Sequence, residues 1–193
     1  MKDVFGKAIT DYFNGINDAD ISVHSKDFED DTIPVHYLFR DFSEMPEIEQ
    51  LALQNTKGSV LDVGCGDGTF LKFIKMNFEN VSLYGSEFTY HVYKYLSRLL
   101  ATNLFYKQEL SEIKKKIDFK FDIITFWGVL EHLTNPLSAL KNAEKILEAN
   151  GKILVNVPCY NSRARKILGI STPTFNPREH LHFFSQKSMK ILA

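Results

Sequence analysis

The sequence predicts a doubly wound α/β fold, in which helices cover both faces of a mainly parallel sheet. Over most of the 193-residue chain, short apolar and β-branched runs alternate with longer segments of helical periodicity. This alternation favours parallel strands joined by right-handed helical crossovers. A glycine-rich turn at 64–68 directly follows one of the apolar runs. In such a sheet, ligands bind beyond the carboxyl ends of the strands, where this turn would lie.

The N-terminal part is predicted to be a helical lid that precedes the α/β domain. Apolar side chains recur at helical spacing over 2–14, and 43–53 has helical character again. Between them, 16–42 is acidic and irregular in pattern. We therefore expect two parts, 1–57 and 58–193.

The α/β part contains five predicted strands in chain order. They cover 59–63, 81–85, 102–106, 121–126 and 152–157. Helical periodicity is present over 89–101 and 136–147, and Asn150 with Gly151 is expected to make the turn into the last strand.

Composition and charge narrow the class of protein. A hydrophobic fraction of 44% with 24% charged residues is close to the average of globular proteins, and no apolar run approaches the ~18 residues of a membrane span. The formal net charge of −1 offers no broad basic surface, so we expect neither a nucleic-acid nor a membrane partner. The N-terminus lacks an apolar signal segment and Cys65 and Cys159 form no CxxC pair, which predicts a cytoplasmic location.

The glycine turn has the composition of a ligand cradle. Glycine can adopt positive φ and lets a ligand approach the backbone, while the start of the next helix offers unpaired N–H groups. The spacing differs from the dinucleotide fingerprint G-x-G-x-x-G, because the third glycine is Gly68 and Thr69 stands where that fingerprint needs glycine. A nicotinamide-dependent oxidoreductase is therefore disfavoured.

Four segments carry a family resemblance. The string at 60–70, VLDVGCGDGTF, resembles motif I of class I S-adenosylmethionine-dependent methyltransferases. The strings at 121–136, 147–158 and 179–185 are similar to the branch that includes ubiquinone-type O-methyltransferases. The resemblance covers about 57–193. It implies a Rossmann-like class I fold, S-adenosyl-L-methionine as cofactor, and methyl transfer to a small-molecule acceptor, with a hydroxyl oxygen preferred.

The resemblance and the strand ends together predict the cofactor site. Glu87, after the second strand, is expected to accept hydrogen bonds from the ribose hydroxyls. The alternative is an exposed glutamate that favours the start of the next helix. Phe88 would stack on adenine, and Gln108 or Glu109 would reach the adenine amine. The complete predicted cofactor set is Asp62, Gly64, Cys65, Gly66, Gly68, Glu87, Phe88, Glu109 and Trp127.

His132 is the predicted general base, with Glu131 as the residue that orients it. The pair follows the fourth strand, and histidine is the side chain best suited to accept a proton near neutral pH. Alternatively, the pair only caps and lines the following loop. His180 and His182 would share one face of an extended segment and reach the same cleft, or serve in packing.

Some ubiquinone-type enzymes bind a divalent metal through this Glu-His pair and a glutamate three residues before it. The corresponding position here is Gly128. Two ligands hold a hard cation poorly, so we expect no metal.

The C-terminal part departs from the family pattern. Family members usually end with an antiparallel strand pair, whereas this chain stops inside a predicted helix at 190–193. We expect the sheet to lack that pair, which leaves an open edge. Either the chain is a truncated form, or the edge is covered by a homo-oligomer, by another partner or by the N-terminal segment. The connection 158–184 is predicted to be a lid with a short helix at 162–168. A catalytically silent cofactor-binding module of the same fold is the alternative function.

Overall fold

The computed structural model describes residues 11, 14–16, 21–23, 31–33, 42–66, 68–99, 103–172, 175, 177 and 180–192. The chain divides into two compact units, 1–51 and 52–193. The predicted helix at 2–14 lies almost entirely outside the described residues.

The first unit contains a short antiparallel strand pair. Strands β1 (Ile21–Val23) and β2 (Asp31–Ile33) pair with Ile21 opposite Ile33. A 3₁₀ turn follows at Phe42–Glu44. The sequence pattern predicts an irregular segment over 16–42, and this prediction is wrong for the residues of β1 and β2. Each has only three residues, too few for alternation of polar and apolar side chains to be recognisable.

Helix α1 (Glu47–Gln54) forms the second half of the predicted helix at 43–53. Its acidic first turn, with Glu47 and Glu49, complements the positive end of the helix dipole. Its last turn buries Ala52 and Leu53.

Five parallel strands form the central sheet of the second unit, in the order β5-β4-β3-β6-β7. They are β3 (Ser59–Val63), β4 (Ser82–Glu87), β5 (Asn103–Tyr106), β6 (Phe121–Trp127) and β7 (Leu147–Asn156). Val63 lies opposite both Ser86 of β4 and Phe126 of β6, so the carboxyl ends of the central strands are aligned. Because successive strands are added on one side of β3 and then on the other, β3 and β6 flank the switch point where ligands bind in such sheets. The predicted fold class is confirmed.

The last strand starts earlier than the sequence predicts. Pairing of β6 with β7 shifts register between Phe121 opposite Leu147 and Ile123 opposite Lys152. Asn150 and Gly151 lie inside this irregular stretch of β7, so the expected turn is a bulge-like insertion within the strand. The space at Gly151 favours glycine, because an added Cβ would lie 2.7 Å from Cγ of Leu147 and 3.0 Å from the backbone oxygen of Asp122.

The helices of the second unit surround this sheet. They are α2 (Thr69–Asn77), α3 (Tyr90–Leu99), α4 (Leu110–Ile113), α5 (Pro136–Lys145), α6 (Arg163–Leu168) and α7 (Gln186–Leu192). Helix α5 begins with Pro136, and the Asn135 side chain accepts a hydrogen bond from the Ser138 amide. Helix α6 confirms the short helix predicted at 162–168, with Ser162 as its N-cap.

Two hydrophobic clusters show that helices pack on both faces of the sheet. Leu61, Val63 and Phe126 belong to the larger cluster, together with residues of α4, α5 and α7. Leu71 of α2 and Leu96 of α3 form the smaller cluster with Cys65. Among the described residues, the five-stranded sheet contains parallel strands alone, with β5 and β7 at its edges. No helix in the described part of the chain combines the length and apolar character needed to cross a membrane.

Candidate active site

The turn after β3 has a backbone that suits glycine. Gly64, Gly66 and Gly68 have φ values of +65°, +50° and +75°. L residues with side chains rarely adopt this region. A Cβ at Gly64 would lie 2.8 Å from Cγ2 of Val129, whereas a Cβ at Gly66 would meet only the Gly64 oxygen, at 4.0 Å. Gly66 therefore faces open space, as a close approach of a ligand to the backbone requires.

Glu87 holds this turn in place. Its Oε2 accepts a hydrogen bond from the Gly66 amide at 3.1 Å, and its Oε1 accepts one from the Thr89 amide at 2.6 Å. The residue is 8% exposed. A carboxylate has about four acceptor positions, so each oxygen can still accept from a second donor. The structure thus adds a role that the sequence did not suggest, which is fixing the glycine turn from the neighbouring strand.

Asp62 is buried at the end of β3. Its Oδ1 accepts a hydrogen bond from the Thr125 hydroxyl at 2.7 Å, and it is 2% exposed. This contact joins β3 to β6, directly below the glycine turn. Cofactor contact by Asp62 stays a prediction.

A cleft of about 320 Å³ opens beyond the carboxyl ends of the strands. It brings together three of the predicted site residues, Phe88, Glu109 and His132, and also Gln108. Phe88 is 49% exposed, so its ring is available to a ligand. The cleft lies at the switch point between β3 and β6, since Val63 and Phe126 are both in its wall.

Sequence reasoning missed one wall of this cleft, which the start of α5 provides. The residues concerned are Leu133, Thr134, Asn135, Ser138, Ala139 and Asn142. Asn135, Ser138 and Asn142 follow each other at helical spacing of three and four, so their common face was a signal in the sequence. The sequence did not indicate that this face lines the cleft.

Among the buried polar atoms that have no hydrogen-bond partner in the described part of the chain, two belong to residues predicted to bind the cofactor. They are Oε1 of Gln108 and Nε1 of Trp127. The Trp127 ring packs edge-on against Phe70, with ring centroids 5.3 Å apart. An unpaired buried polar group costs on the order of 1–3 kcal/mol, so both atoms suit a bound polar ligand. The acceptor atom of Gln108 has the polarity needed to bind the adenine amine of S-adenosylmethionine. The donor atom of Trp127 has the polarity needed to bind its methionine carboxylate.

The Glu-His pair lies on a 3₁₀ turn, Leu130–His132, which follows β6. Glu131 is 3% exposed, while His132 is in the wall of the cleft. The rings of His132 and His180 meet edge to face, with centroids 4.9 Å apart. His182 instead packs against Phe184, at 6.0 Å between ring centroids. Of the two downstream histidines, the structure thus places His180 against His132.

Backbone hydrogen bonds bring this downstream segment to the site. The Glu131 oxygen accepts from the amides of Leu181 at 2.8 Å and His182 at 3.1 Å. The amide of Tyr160 donates to the Phe184 oxygen at 2.7 Å. The segment is therefore tied both to the Glu-His turn and to the chain that follows β7.

An aromatic cluster lies in the predicted lid. The Arg165 guanidinium stacks over Phe175 at 4.1 Å and over Tyr160 at 4.8 Å. Phe183 continues the row, 4.6 Å from Phe175 between ring centroids. These contacts tie α6 to the segment that carries His180.

The sheet order, the glycine turn and the acidic residue at the next strand end define a class I methyltransferase fold. In agreement, residues 35–193 match a family model described as Methyltransferase domain, and the chain belongs to that family. The predicted class of protein, a class I S-adenosylmethionine-dependent methyltransferase, is confirmed.

Two curated relatives illustrate the range of this family. The chain is 31% identical over 106 residues to the ubiquinone biosynthesis O-methyltransferase of Coxiella burnetii, covering 54% of this chain and 45% of the relative. It is 29% identical over 101 residues to the tRNA U34 carboxymethyltransferase of Campylobacter curvus, covering 51% of this chain and 34% of the relative. The chain thus spans between a third and a half of the length of these relatives.

Solved structures share the fold at low identity. The plantazolicin methyltransferase BamL, in complex with a triazolic desmethylPZN analog and SAH, has a TM-score of 0.61 at 17% identity, covering 75% of this chain and 59% of that one. A SAM-dependent methyltransferase from Archaeoglobus fulgidus has a TM-score of 0.56 at 20% identity, covering 81% and 71%. At these identities the likeness concerns the fold alone.

Proposed function

We propose that this chain binds S-adenosylmethionine and transfers its methyl group to a hydroxyl oxygen of a small-molecule acceptor. One observation carries the proposal: His132 is in the wall of the same strand-end cleft as Phe88 and Glu109. A proton acceptor and the predicted adenine-binding residues thus face a common space.

The cofactor supplies a methyl group bonded to a positively charged sulfur. The carbon of this methyl group is electrophilic without further activation. The chain's task is placement. The open side of Gly66 admits the methionine end, and the remaining acceptor positions of Glu87 take the ribose hydroxyls. Phe88 offers a ring to adenine, Gln108 Oε1 or the Glu109 carboxylate accepts from its amine, and Trp127 Nε1 donates to the carboxylate.

His132 is proposed to take the proton from the acceptor hydroxyl. Glu131, the preceding residue on the same 3₁₀ turn, is buried and is proposed to orient His132. Positioning and exclusion of water account for most of the remaining rate enhancement in a displacement of this kind. The lid that Arg165 ties to the His180 segment is the proposed cover of the acceptor.

The alternative is a cofactor-binding module without catalytic activity. Cofactor binding without catalysis would account for the glycine turn, for the position of Glu87 and for the unpaired buried atoms of Gln108 and Trp127. Only turnover distinguishes the two functions, because both predict cofactor affinity.

The test uses the full chain, titrated first with S-adenosylhomocysteine and then assayed for transfer of a labelled methyl group. The acceptor panel contains phenols, catechols, aliphatic alcohols, amines and a bulk tRNA fraction. We expect saturable binding and transfer to at least one hydroxyl compound. Binding without transfer to any acceptor would support the silent module, and transfer to amines or tRNA alone would overturn the hydroxyl assignment.

A further inference from the structure

The lid carries a cation that no acidic side chain of the described residues neutralises. Arg165 belongs to helix α6, where its amide donates a hydrogen bond to the Ser162 hydroxyl at 3.1 Å. No carboxylate pairs with its guanidinium in the described part of the chain, and its Nε is buried without a hydrogen-bond partner. A buried donor without an acceptor is costly, and more so when it belongs to a charged group. An oxyanion that bound this group would remove that cost.

Aromatic rings hold the guanidinium in place. Its Cζ lies 4.1 Å from the ring centroid of Phe175 and 4.8 Å from that of Tyr160. Contact with ring faces is favourable for a cation, but a ring face offers no lone pair to the N–H donors. Those donors form a rigid fork that matches the two oxygens of a carboxylate. Arg165 is therefore preoriented for a planar acid group.

A row of rings connects Arg165 to the predicted general base. Phe183 lies between Phe175 and His180, with distances between ring centroids of 4.6 and 6.2 Å. His180 in turn meets the His132 ring at 4.9 Å. Rings that follow one another in this way suit the flat apolar body of an aromatic compound. A carboxylate at one end of such a compound can bind Arg165 while a hydroxyl at the other end faces His132.

The charge of helix α6 favours an acidic ligand as well. Its six residues include Arg163, Arg165 and Lys166 and no acidic side chain. Arg163 and Lys166 are exposed, so they attract anions from solution without competing for the buried Nε.

We infer that Arg165 binds a carboxylate of the methyl acceptor, and that the acceptor is therefore a phenolic acid. The inference rests on the proposed function and deepens it, because it names the chemical class of the acceptor. A carboxylate bound at Arg165 fixes one end of the acceptor in the lid. Such placement is a main contribution that a protein makes to a displacement reaction. Arg165 determines specificity and takes no part in proton transfer.

Methyl-transfer kinetics with matched acids and esters test this inference. The substrates are protocatechuate, dihydroxyphenylacetate and caffeate, each paired with its methyl ester, which keeps the hydroxyl groups and removes the charge. We expect the parent to prefer at least one acid over its ester by about tenfold or more in kcat/KM. Arg165→Gln should bring this ratio close to one. A purely structural role of Arg165 would lower both rates together and leave the ratio unchanged.

Arg163→Gln is the matched control, because Arg163 is exposed on the same helix two residues away. Its acid-over-ester ratio should equal that of the parent. Arg165→Met, which keeps an unbranched apolar side chain, takes the place of Arg165→Gln should the latter fail to fold. Equal kcat/KM for every acid and its ester in the parent, or the parent's ratio in a folded Arg165 variant, would overturn the inference. Methylation of the esters would in that case leave the proposed function intact.

Calorimetry separates a failure of the proposed function from a failure of this inference. Caffeate is titrated into the full chain in the presence of S-adenosylhomocysteine, which has no methyl group to transfer. We expect saturable binding by the parent and at least about tenfold weaker binding by Arg165→Gln. Absence of transfer to acids and esters alike would contradict the proposed function, and caffeate affinities that are equal in the parent and the folded variant would contradict the role of Arg165.

Discussion

The glycine turn and the histidine cluster of Glu131, His132 and His180 both follow strands of the central sheet or contact residues that do, and they are assembled in opposite ways. Gly64, Gly66 and Gly68 belong to one short stretch, and the positive φ values at these positions define its shape. The cluster joins the Glu-His turn to a segment far along the chain, through two amides that donate to the Glu131 oxygen. The turn is therefore a local structure, whereas the cluster depends on tertiary contacts.

This difference predicts that the glycine turn and the histidine cluster can be disrupted separately by substitution. Cofactor affinity should depend on the turn and on Glu87, which contacts it directly. Methyl transfer should depend in addition on the cluster and on the bonds that hold it. Variants that affect one property and leave the other intact would therefore support the comparison.

His132→Ala should have the largest effect on turnover. Removal of a general base typically costs ~10²–10⁴ in rate. The affinity for S-adenosylhomocysteine should stay within twofold of the parent, since the predicted cofactor contacts lie elsewhere. Methyl-transfer kinetics with several hydroxyl acceptors and calorimetric titration measure the two quantities. Full activity of this variant with every acceptor would show that His132 is not the general base and only lines the pocket.

Glu87→Ala should have the next largest effect, this time on cofactor affinity. The carboxylate holds the Gly66 amide and is proposed to bind the ribose, so its loss should cost about 1.5–3 kcal/mol, or roughly 10- to 150-fold in affinity. In Glu87→Gln one of the two oxygens that accept from the Gly66 and Thr89 amides is replaced by an NH2 donor, so we expect this variant to lose affinity as well, but less than Glu87→Ala, because one acceptor oxygen remains. Affinity of both folded variants within twofold of the parent would mean that the carboxylate makes no cofactor contact.

The glycine turn and Glu87 were predictable from the sequence to different extents. Glycine spacing after an apolar run identified the turn, because positive φ and close ligand approach are local requirements. The position of Glu87 followed from the length of one β-α-β unit. Its bond to the Gly66 amide did not, because it depends on the alignment of Val63 with Ser86 across the sheet.

The histidine cluster was only partly predictable. His132 was identified from its place after a strand, and His180 and His182 were equivalent in the sequence. Which of them meets His132 depends on the direction of the segment at the Glu131 oxygen and on its pairing with Cys159 and Tyr160. Such contacts between distant segments leave no periodic signal along the chain.

Leu181→Pro should produce a smaller effect confined to the cluster. Proline lacks the amide hydrogen that Leu181 donates to the Glu131 oxygen, and loss of one backbone bond costs about 1 kcal/mol. We expect methyl transfer to fall by about fivefold, the equivalent of that energy, with S-adenosylhomocysteine affinity unchanged. Leu181→Ala, which keeps the amide at this 56% exposed position, is the control. Equal rates in the two variants would show that the hydrogen bond from the Leu181 amide to the Glu131 oxygen does not position the cluster.

The most direct test of the proposed cofactor site is calorimetric titration of S-adenosylhomocysteine into the parent, Gly66→Val and Gly15→Val. Gly15, in the N-terminal unit, has φ of +87° and no atom within 4 Å of an added Cβ, so its variant carries the same kind of backbone strain at a position outside the glycine turn. We predict saturable binding by the parent, at least tenfold weaker binding by Gly66→Val, which is about 1.4 kcal/mol, and an affinity within twofold of the parent for Gly15→Val. A folded Gly66→Val chain that binds as tightly as the parent would contradict the placement of the cofactor on the glycine turn.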